Sequence, residues 1–109
     1  MKLLFICSRN LIRSLTAEAC FRGDPVHTVR SAGTEPSARR RVTPGDLGWA
    51  DAILVMEKKH AAYLKSRFPE DIEGKRLIVL QIPDDYEFGD PDLVAQLRGR
   101  VEEEFQGRR

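Results

Sequence analysis

The sequence predicts an α/β fold in which a parallel sheet is covered by helices on both faces. Four short strand-like runs, at residues 3–7, 26–30, 52–56 and 77–82, have the length and pattern of strands buried on both faces. Segments with helical spacing of apolar residues alternate with these runs, which gives the order β-α-β-(α)-β-α-β-α. In such folds ligands bind beyond the carboxyl ends of the strands, so the loops that follow each run are the places to expect a site.

The elements follow one another with recognisable start and stop signals. The first run ends at Cys7, and the helix after it is predicted to have Ser14 in its first turn and to close at Gly23. The second run leads into residues 31–34, which we interpret as a turn-rich exit. Thr43 is a possible cap for a helix that starts at Pro44.

The second half of the chain is predicted to contain two longer helices. Residues 57–68 form a helix that Pro69 stops, with Ala61, Leu64 and Phe68 on one face. From Asp90, a second cap candidate, the apolar residues again recur at helical spacing.

Composition limits what the chain can be. With 109 residues it is predicted to form one domain, residues 1–109. Charged residues make up 32% of the chain but the net charge is only +1, which gives no general case for binding nucleic acid or a membrane surface. The apolar runs are far shorter than a membrane span, and we find no signal-peptide pattern, so we expect a cytoplasmic protein with Cys7 and Cys20 as thiols.

The loop between Cys7 and Arg13 is the strongest candidate site. Cys7 ends a buried strand and Arg13 begins a helix, and the loop between them is long enough to curl its backbone N–H groups around a tetrahedral anion. Arg13 can hold two oxygens of the same phosphate through its planar guanidinium. The predicted phosphate cradle comprises Ser8, Arg9, Asn10, Leu11, Ile12 and Arg13.

The same environment predicts a nucleophile. A thiol at a helix N-terminus beside an arginine favours its thiolate form, and Ser14 is placed to donate a hydrogen bond to Cys7. The alternative is that Cys7 is a small core residue and Arg13 a solvated helix residue. A thiolate that attacks phosphorus also needs an acid for the leaving oxygen. Three carboxyls follow the fourth strand, and we rank Asp84 first, Asp85 second and Asp90, which has a sufficient role as a helix cap, third.

Four segments resemble the low-molecular-weight protein tyrosine phosphatase family: LLFICSRNLIRS at 3–14, SAGT at 31–34, DAILVMEKKHAAYL at 51–64 and IPDDY at 82–86. The resemblance implies a flavodoxin-like fold with strand order 2-1-3-4 and a hydrolysis that uses no metal or other cofactor. It also implies that Cys7 is the nucleophile, Arg13 the transition-state clamp, Asp84 the general acid, Ser14 the partner of the thiolate and Asn10 the residue that shapes the loop.

The chain departs from the family pattern in four places. Ile12 stands where a second cysteine is common, Arg9 stands where glycine is usual, and Asp85 stands where proline usually follows the acid. Much of the segment that shapes the substrate cleft is missing between Gly33 and residue 51. These departures imply no disulfide protection of the nucleophile, and the resemblance bears on the class of reaction more than on the substrate.

We therefore expect a cysteine-dependent phosphomonoesterase that acts through a phosphocysteine, most simply on phosphotyrosine in proteins. The alternatives are a non-catalytic module that binds phosphate or a phosphoprotein, and a phosphatase for a nucleic-acid or metabolite phosphate. Arsenate reduction is less favoured, because a helix rise of 1.5 Å per residue puts Cys20 about 10 Å beyond Arg13.

Other polar residues are interpreted without a catalytic role. The arginine run 39–41 is a solvated loop or an attractor of a polyanionic substrate, His60 is a solvated helix residue, and His27 is assigned no role. Tyr86 either lines the cleft or packs against the last helix. No group of side chains has the spacing of metal ligands.

Overall fold

The computed structural model describes residues 1–105 and contains one sheet of four parallel strands. The strands are β1 (Lys2–Cys7), β2 (Thr28–Gly33), β3 (Ala52–Val55) and β4 (Arg76–Val79). Their order across the sheet is β2-β1-β3-β4, and every neighbouring pair is parallel. The predicted fold class and the strand order 2-1-3-4 are both confirmed.

Helices cover both faces of this sheet, as the doubly buried strands require. They are α1 (Arg13–Phe21), α2 (Pro44–Trp49), α3 (Lys58–Arg67), α4 (Pro69–Ile72) and α5 (Pro91–Phe105). Alternate residues of each strand point to opposite faces. Leu3 and Phe5 pack in a core with α1 and α5, whereas Leu4 and Ile6 pack in a second core with α2 and α3.

Two strands, β2 and β4, differ from the prediction by more than one residue at an end. The second strand is Thr28–Gly33 rather than residues 26–30, and its last residues are therefore strand and not a turn-rich exit. The reason is the register, because Cys7 pairs with Gly33 and the ladder with β1 continues to the end of both strands. The fourth strand ends at Val79 rather than at residue 82. Beyond it Gln81 takes a positive φ of 58°, although Leu80 and Ile82 still donate backbone hydrogen bonds to the carbonyls of Val55 and Met56.

The helix ends follow their capping chemistry. Thr43 caps α2 as predicted, since its hydroxyl accepts from the amide of Asp46 while the Asp46 carboxylate accepts from the amide of Thr43. Pro69 does more than stop a helix: α3 ends at Arg67, and Pro69 is the first residue of the short helix α4. The first helix ends at Phe21, two residues before Gly23, which takes a positive φ of 79°. Asp90 lies directly before α5, where its carboxylate accepts from the amide of Asp92 at 2.9 Å.

The topology brings four loops together at one edge of the sheet. The chain leaves β1 toward β2 on one side and later forms β3 on the other side, so the order of the strands reverses at β1. The loops after β1, β2, β3 and β4 all lie at the carboxyl edge, beside this reversal. Within the described residues no helix is long and apolar enough to span a membrane.

Candidate active site

A small cleft opens at the reversal point, directly above the end of β1. The cleft is lined by Cys7, Ser8, Arg9, Leu11, Ile12, Arg13 and Asp84. The structure therefore brings together the predicted nucleophile, the predicted clamp, most of the predicted cradle and the first-ranked acid. Asn10 lies beneath the cradle and is fully buried.

The loop after Cys7 wraps around the thiol because Asn10 adopts a left-handed backbone conformation. Its φ is 57°, a region that asparagine tolerates better than most residues. In this conformation the amide N–H of Asn10 points back to the sulfur of Cys7 at 3.3 Å. The Asn10 side chain then fixes the loop from below, since its Nδ2 donates to Ser14 Oγ at 2.7 Å and to Ser31 Oγ at 2.9 Å.

Ser14 is positioned to stabilise a negative charge on Cys7. Its Oγ lies 3.0 Å from the Cys7 sulfur and accepts a hydrogen bond from Asn10. Its single proton can point to the sulfur or to the carbonyl of Ala32 at 3.3 Å, and a charged thiolate is the stronger acceptor of the two. The thiol also lies in front of α1, whose N-cap residue, Ile12, provides no side-chain cap. A thiolate at this place thus receives two hydrogen bonds and the favourable field of a helix N-terminus.

Arg13 is buried and held from one side only. Its Nη1 donates to Glu57 Oε2 at 2.5 Å and to the carbonyl of Ile82 at 2.8 Å, which uses both protons of that nitrogen. Its Nε faces Asp84 Oδ1 at 3.7 Å. The edge formed by Nε and Nη2 is therefore the one that can bind two oxygens of an anion in the cleft.

Glu57 is a site residue that the sequence analysis missed. It is the N-cap residue of α3, two residues beyond the end of β3, at the same edge of the sheet as Cys7. The hydrogen bond from Arg13 lowers the pKa of the Glu57 carboxyl, so that Glu57 remains a charged anchor for the guanidinium. The only sequence signal was its position immediately after a buried strand, at a loop that the fold singled out for inspection.

Gly33 lets two loops approach each other beneath the cradle. A Cβ at this position would lie 2.7 Å from the carbonyl oxygen of Ser8 and 2.6 Å from the Cβ of Ala38. Such contacts are too short for any side chain, so the glycine of the SAGT segment is needed for the cradle to lie where it does.

The three candidate acids occupy different surroundings. Asp84 lines the cleft, and its side chain is 64% exposed. Asp85 is exposed and does not line the cleft, while the Asp90 carboxylate is engaged at the start of α5. Of the three carboxyls, Asp84 is therefore the one that lines the cleft.

His60 was interpreted as a solvated helix residue, and this interpretation is wrong. The side chain is only 1% exposed, because α3 turns it inward beneath the loop that carries Ser8. Its Nε2 lies 2.9 Å from Ser8 Oγ, and its Nδ1 accepts from the amide of Glu57 at 3.0 Å. Burial, with the charge of Arg13 as the next contribution, lowers the pKa of His60 to about 4.

The arginine run at 39–41 is largely part of the scaffold. Arg39 donates to the carbonyls of Arg9 and Asn10 from behind the cradle, and Arg40 pairs with Asp46. Neither of these two arginines lines the cleft. Arg39 therefore braces the cradle loop, and the charge of Arg40 is met by the carboxylate of Asp46.

Tyr86 and Cys20 each had a structural and a functional interpretation, and in both cases the structure agrees with the structural one. Tyr86 packs against the core beneath α5, where its hydroxyl accepts from Gln96, and Cys20 is a half-buried free thiol packed against the same core. In the part of the chain that the structure describes, no three His, Cys, Asp or Glu side chains are grouped so that they could hold a metal ion.

Known structures resemble the whole chain, although the sequence matches no family model and has no significant match to a curated protein. The tyrosine phosphatase Wzb from Escherichia coli K30, solved in complex with phosphate, has a TM-score of 0.76 and 21% identity, over 99% of this chain and 98% of that one. For a low molecular weight protein tyrosine phosphatase from Streptococcus pyogenes the TM-score is 0.77 and the identity 17%, over 99% and 93%.

The YwlE arginine phosphatase from Geobacillus stearothermophilus is similar at a TM-score of 0.73 and 22% identity, over 97% of this chain and 93% of that one. A mutant of YwlE has also been solved with a phosphorylated active-site serine. The chain therefore has the flavodoxin-like fold found in the low-molecular-weight protein tyrosine phosphatases.

Proposed function

We propose that this protein is a metal-independent phosphomonoesterase of the low-molecular-weight protein tyrosine phosphatase type. The observation that carries the proposal is the shared cleft of Cys7, Arg13 and Asp84 at the carboxyl edge of the sheet. A nucleophile, an anion clamp and a carboxyl acid in one cleft are the groups that phosphoryl transfer through a covalent intermediate requires.

The first step forms a phosphocysteine. The Cys7 thiolate attacks phosphorus, the bond from phosphorus to the leaving oxygen breaks, and that oxygen takes a proton from the Asp84 carboxyl. Loop N–H groups and the Nε and Nη2 edge of Arg13 stabilise the charge on the three equatorial oxygens. Arg13 needs little reorganisation for this, because Glu57 and the carbonyl of Ile82 already hold its Nη1.

The second step returns the thiolate. Ionised Asp84 takes a proton from a water molecule, the water oxygen bonds to phosphorus, and the bond from phosphorus to sulfur breaks. The hydrogen bonds from Ser14 and from the amide of Asn10 make Cys7 a better leaving group in this step. The phosphorylated active-site serine of the YwlE mutant supports a phosphoryl group carried on this residue of the fold.

We propose phosphotyrosine in a protein as the substrate. Beside the charged groups, the cleft wall is apolar: Leu11, which is 44% exposed, and Ile12 offer a surface for a flat aryl ring. Arg9 at the rim is exposed and favours a substrate with negative charge near the phosphotyrosine. A chemistry that depends on a free thiolate fits a reducing compartment, and we propose the cytoplasm.

Turnover of a small aryl phosphate by the purified protein in the presence of a metal chelator tests this function. We expect hydrolysis between pH 4 and 8 that vanadate inhibits. Absence of turnover throughout this range, with phosphate or vanadate still bound, would refute the enzyme and leave a phosphate-binding module.

The Asp84→Asn variant tests the acid. We expect kcat to fall by about 10² to 10⁴-fold for aryl phosphates with a poor leaving group, because these need a proton as the bond breaks. Substrates with a good leaving group should lose far less in the first step. A series of aryl phosphates of graded leaving-group acidity measures the difference.

Asp85→Asn and Asp90→Asn are the matched controls for this experiment, because each removes the same charge from the same segment. Both should keep the leaving-group dependence of the wild type. Full activity in Asp84→Asn together with a loss in Asp90→Asn would assign the proton to the other carboxylate.

A further inference from the structure

A hydrogen-bonded pair beside the nucleophile, Ser8 and His60, has no part in the mechanism above. Ser8 is the first residue of the cradle and lines the cleft, while His60 lies buried in the first turn of α3. The 2.9 Å contact between Ser8 Oγ and His60 Nε2 joins the loop after β1 to helix α3, between residues that are 52 positions apart in sequence.

The direction of this hydrogen bond follows from the other ring nitrogen. The amide of Glu57 can only donate, so His60 Nδ1 must accept and carries no proton. A neutral imidazole then has its proton on Nε2, and that proton points to Ser8 Oγ. The pKa of His60, lowered to about 4, keeps the ring in this neutral form near neutral pH.

This tautomer excludes a serine nucleophile activated by histidine. A general base would need a free electron pair on Nε2, whereas here Nε2 donates. The hydrogen bond instead occupies an acceptor position of Ser8 and leaves the hydroxyl proton for another partner. No acceptor for that proton is found among residues 1–105, and the cleft is the place that the Ser8 side chain adjoins.

We infer that His60 orients the Ser8 hydroxyl as an uncharged donor to an oxygen of the bound phosphoryl group. This inference rests on the proposed function, and it adds Ser8 to the groups that contact the substrate and His60 as a positioning residue. A chain of hydrogen bonds from Glu57 N–H through His60 to Ser8 polarises each member in turn. The Ser8 hydroxyl thus complements Arg13 without adding positive charge to the cleft.

A merely structural role for His60 is the alternative to separate. In that role His60 acts through Glu57, whose amide it accepts from and whose carboxylate holds Arg13. Two substitutions of His60 separate the two functions of the ring, which are to accept a hydrogen bond from Glu57 and to donate one to Ser8. His60→Asn places an amide oxygen near the position of Nδ1 and keeps the acceptor for Glu57, but it removes the donor to Ser8. His60→Gln reaches further and places an amide nitrogen near the position of Nε2, which keeps that donor.

The experiment measures kcat and KM for a small aryl phosphate and the Kd for vanadate in four variants. Ser8→Ala should lower kcat/KM about tenfold or more, the effect of losing one hydrogen bond to a charged group, and should weaken vanadate binding. His60→Asn should cause a similar loss and His60→Gln a much smaller one. In the double variant Ser8→Ala with His60→Asn, the loss should equal that of Ser8→Ala alone.

The opposite pattern, with His60→Asn active and His60→Gln impaired, would overturn the inference in favour of the structural role. Unchanged kinetics and vanadate binding in Ser8→Ala would also overturn it. Ser8 is only partly buried, so this variant should fold even where a His60 variant does not, and thermal unfolding of each variant checks this. The two proposals can also fail separately. If the wild type shows no turnover but the vanadate affinities of the wild type and the four variants follow the predicted order, the proposed function fails and the inference about Ser8 stands.

Discussion

The Cys7→Ser variant is expected to lose hydrolytic turnover by at least about 10⁴-fold, because the covalent step then depends on a hydroxyl that is almost never ionised. The scaffold should survive this change, since serine is close to cysteine in size and Asn10 and Ser14 can still bond to its oxygen. Vanadate and phosphate should still bind, because the loop N–H groups and Arg13 are intact.

Cys20→Ser is the matched control for that variant. Cys20 is the other free thiol, half-buried on α1 and packed against the core rather than against the cleft. Its variant should hydrolyse aryl phosphates at the rate of the wild type. Substantial activity in Cys7→Ser, or a comparable loss in Cys20→Ser, would contradict the assignment of the nucleophile.

The second large effect is expected for Arg13→Lys, which keeps the charge but removes the planar guanidinium. Lysine has no planar pair of parallel N–H groups to match two oxygens of one phosphate. It also has only one nitrogen, which would have to serve both the anion and the acceptors Glu57 and Ile82 that Nη1 of Arg13 now holds. We expect kcat/KM to fall by about 10³-fold or more, mostly through kcat, because the clamp acts on charge in the transition state.

Steady-state kinetics of Arg13→Lys beside Arg22→Lys measures this effect. Arg22 lies on the exposed end of the same helical segment, where it pairs with Glu18, and its replacement should leave both constants unchanged. If Arg13→Lys raised KM alone, Arg13 would contribute only ground-state binding and its role as a clamp would be lost.

Much of the fold could be predicted because its strands are apolar on both faces. Residues 3–7 of β1 and all of β3 include no polar residue that could face water, which leaves only the centre of a sheet covered on both sides as their place. The exact end of β2 could not be predicted in this way. Residues 31–33 look like turn residues locally, and only their pairing with the end of β1 makes them strand.

The residues of the candidate site likewise fall into two groups: those that the local sequence indicates, and those whose role depends on contacts that are distant in sequence. Cys7, Arg13 and Asp84 could be proposed from the sequence because Cys7 ends a predicted strand, Arg13 begins a predicted helix and Asp84 follows a predicted strand at the carboxyl edge of the sheet. Glu57 and His60 could not be assigned, because their partners Arg13 and Ser8 are far away in sequence. Locally, His60 follows two lysines at the start of α3 and looks like a residue of a solvated helix face. Its burial arises only from the packing of that helix beneath the cradle.

The most direct test of the central claim is detection of phosphocysteine at Cys7. The Asp84→Asn variant should accumulate it from an aryl phosphate with a good leaving group, because the first step needs little acid while the second step has lost its base. Mass spectrometry of the rapidly denatured protein is predicted to find one added phosphoryl group on the peptide that contains Cys7, and none in Cys7→Ala. A phosphoryl group on another residue, or steady turnover in the absence of Cys7, would contradict the mechanism.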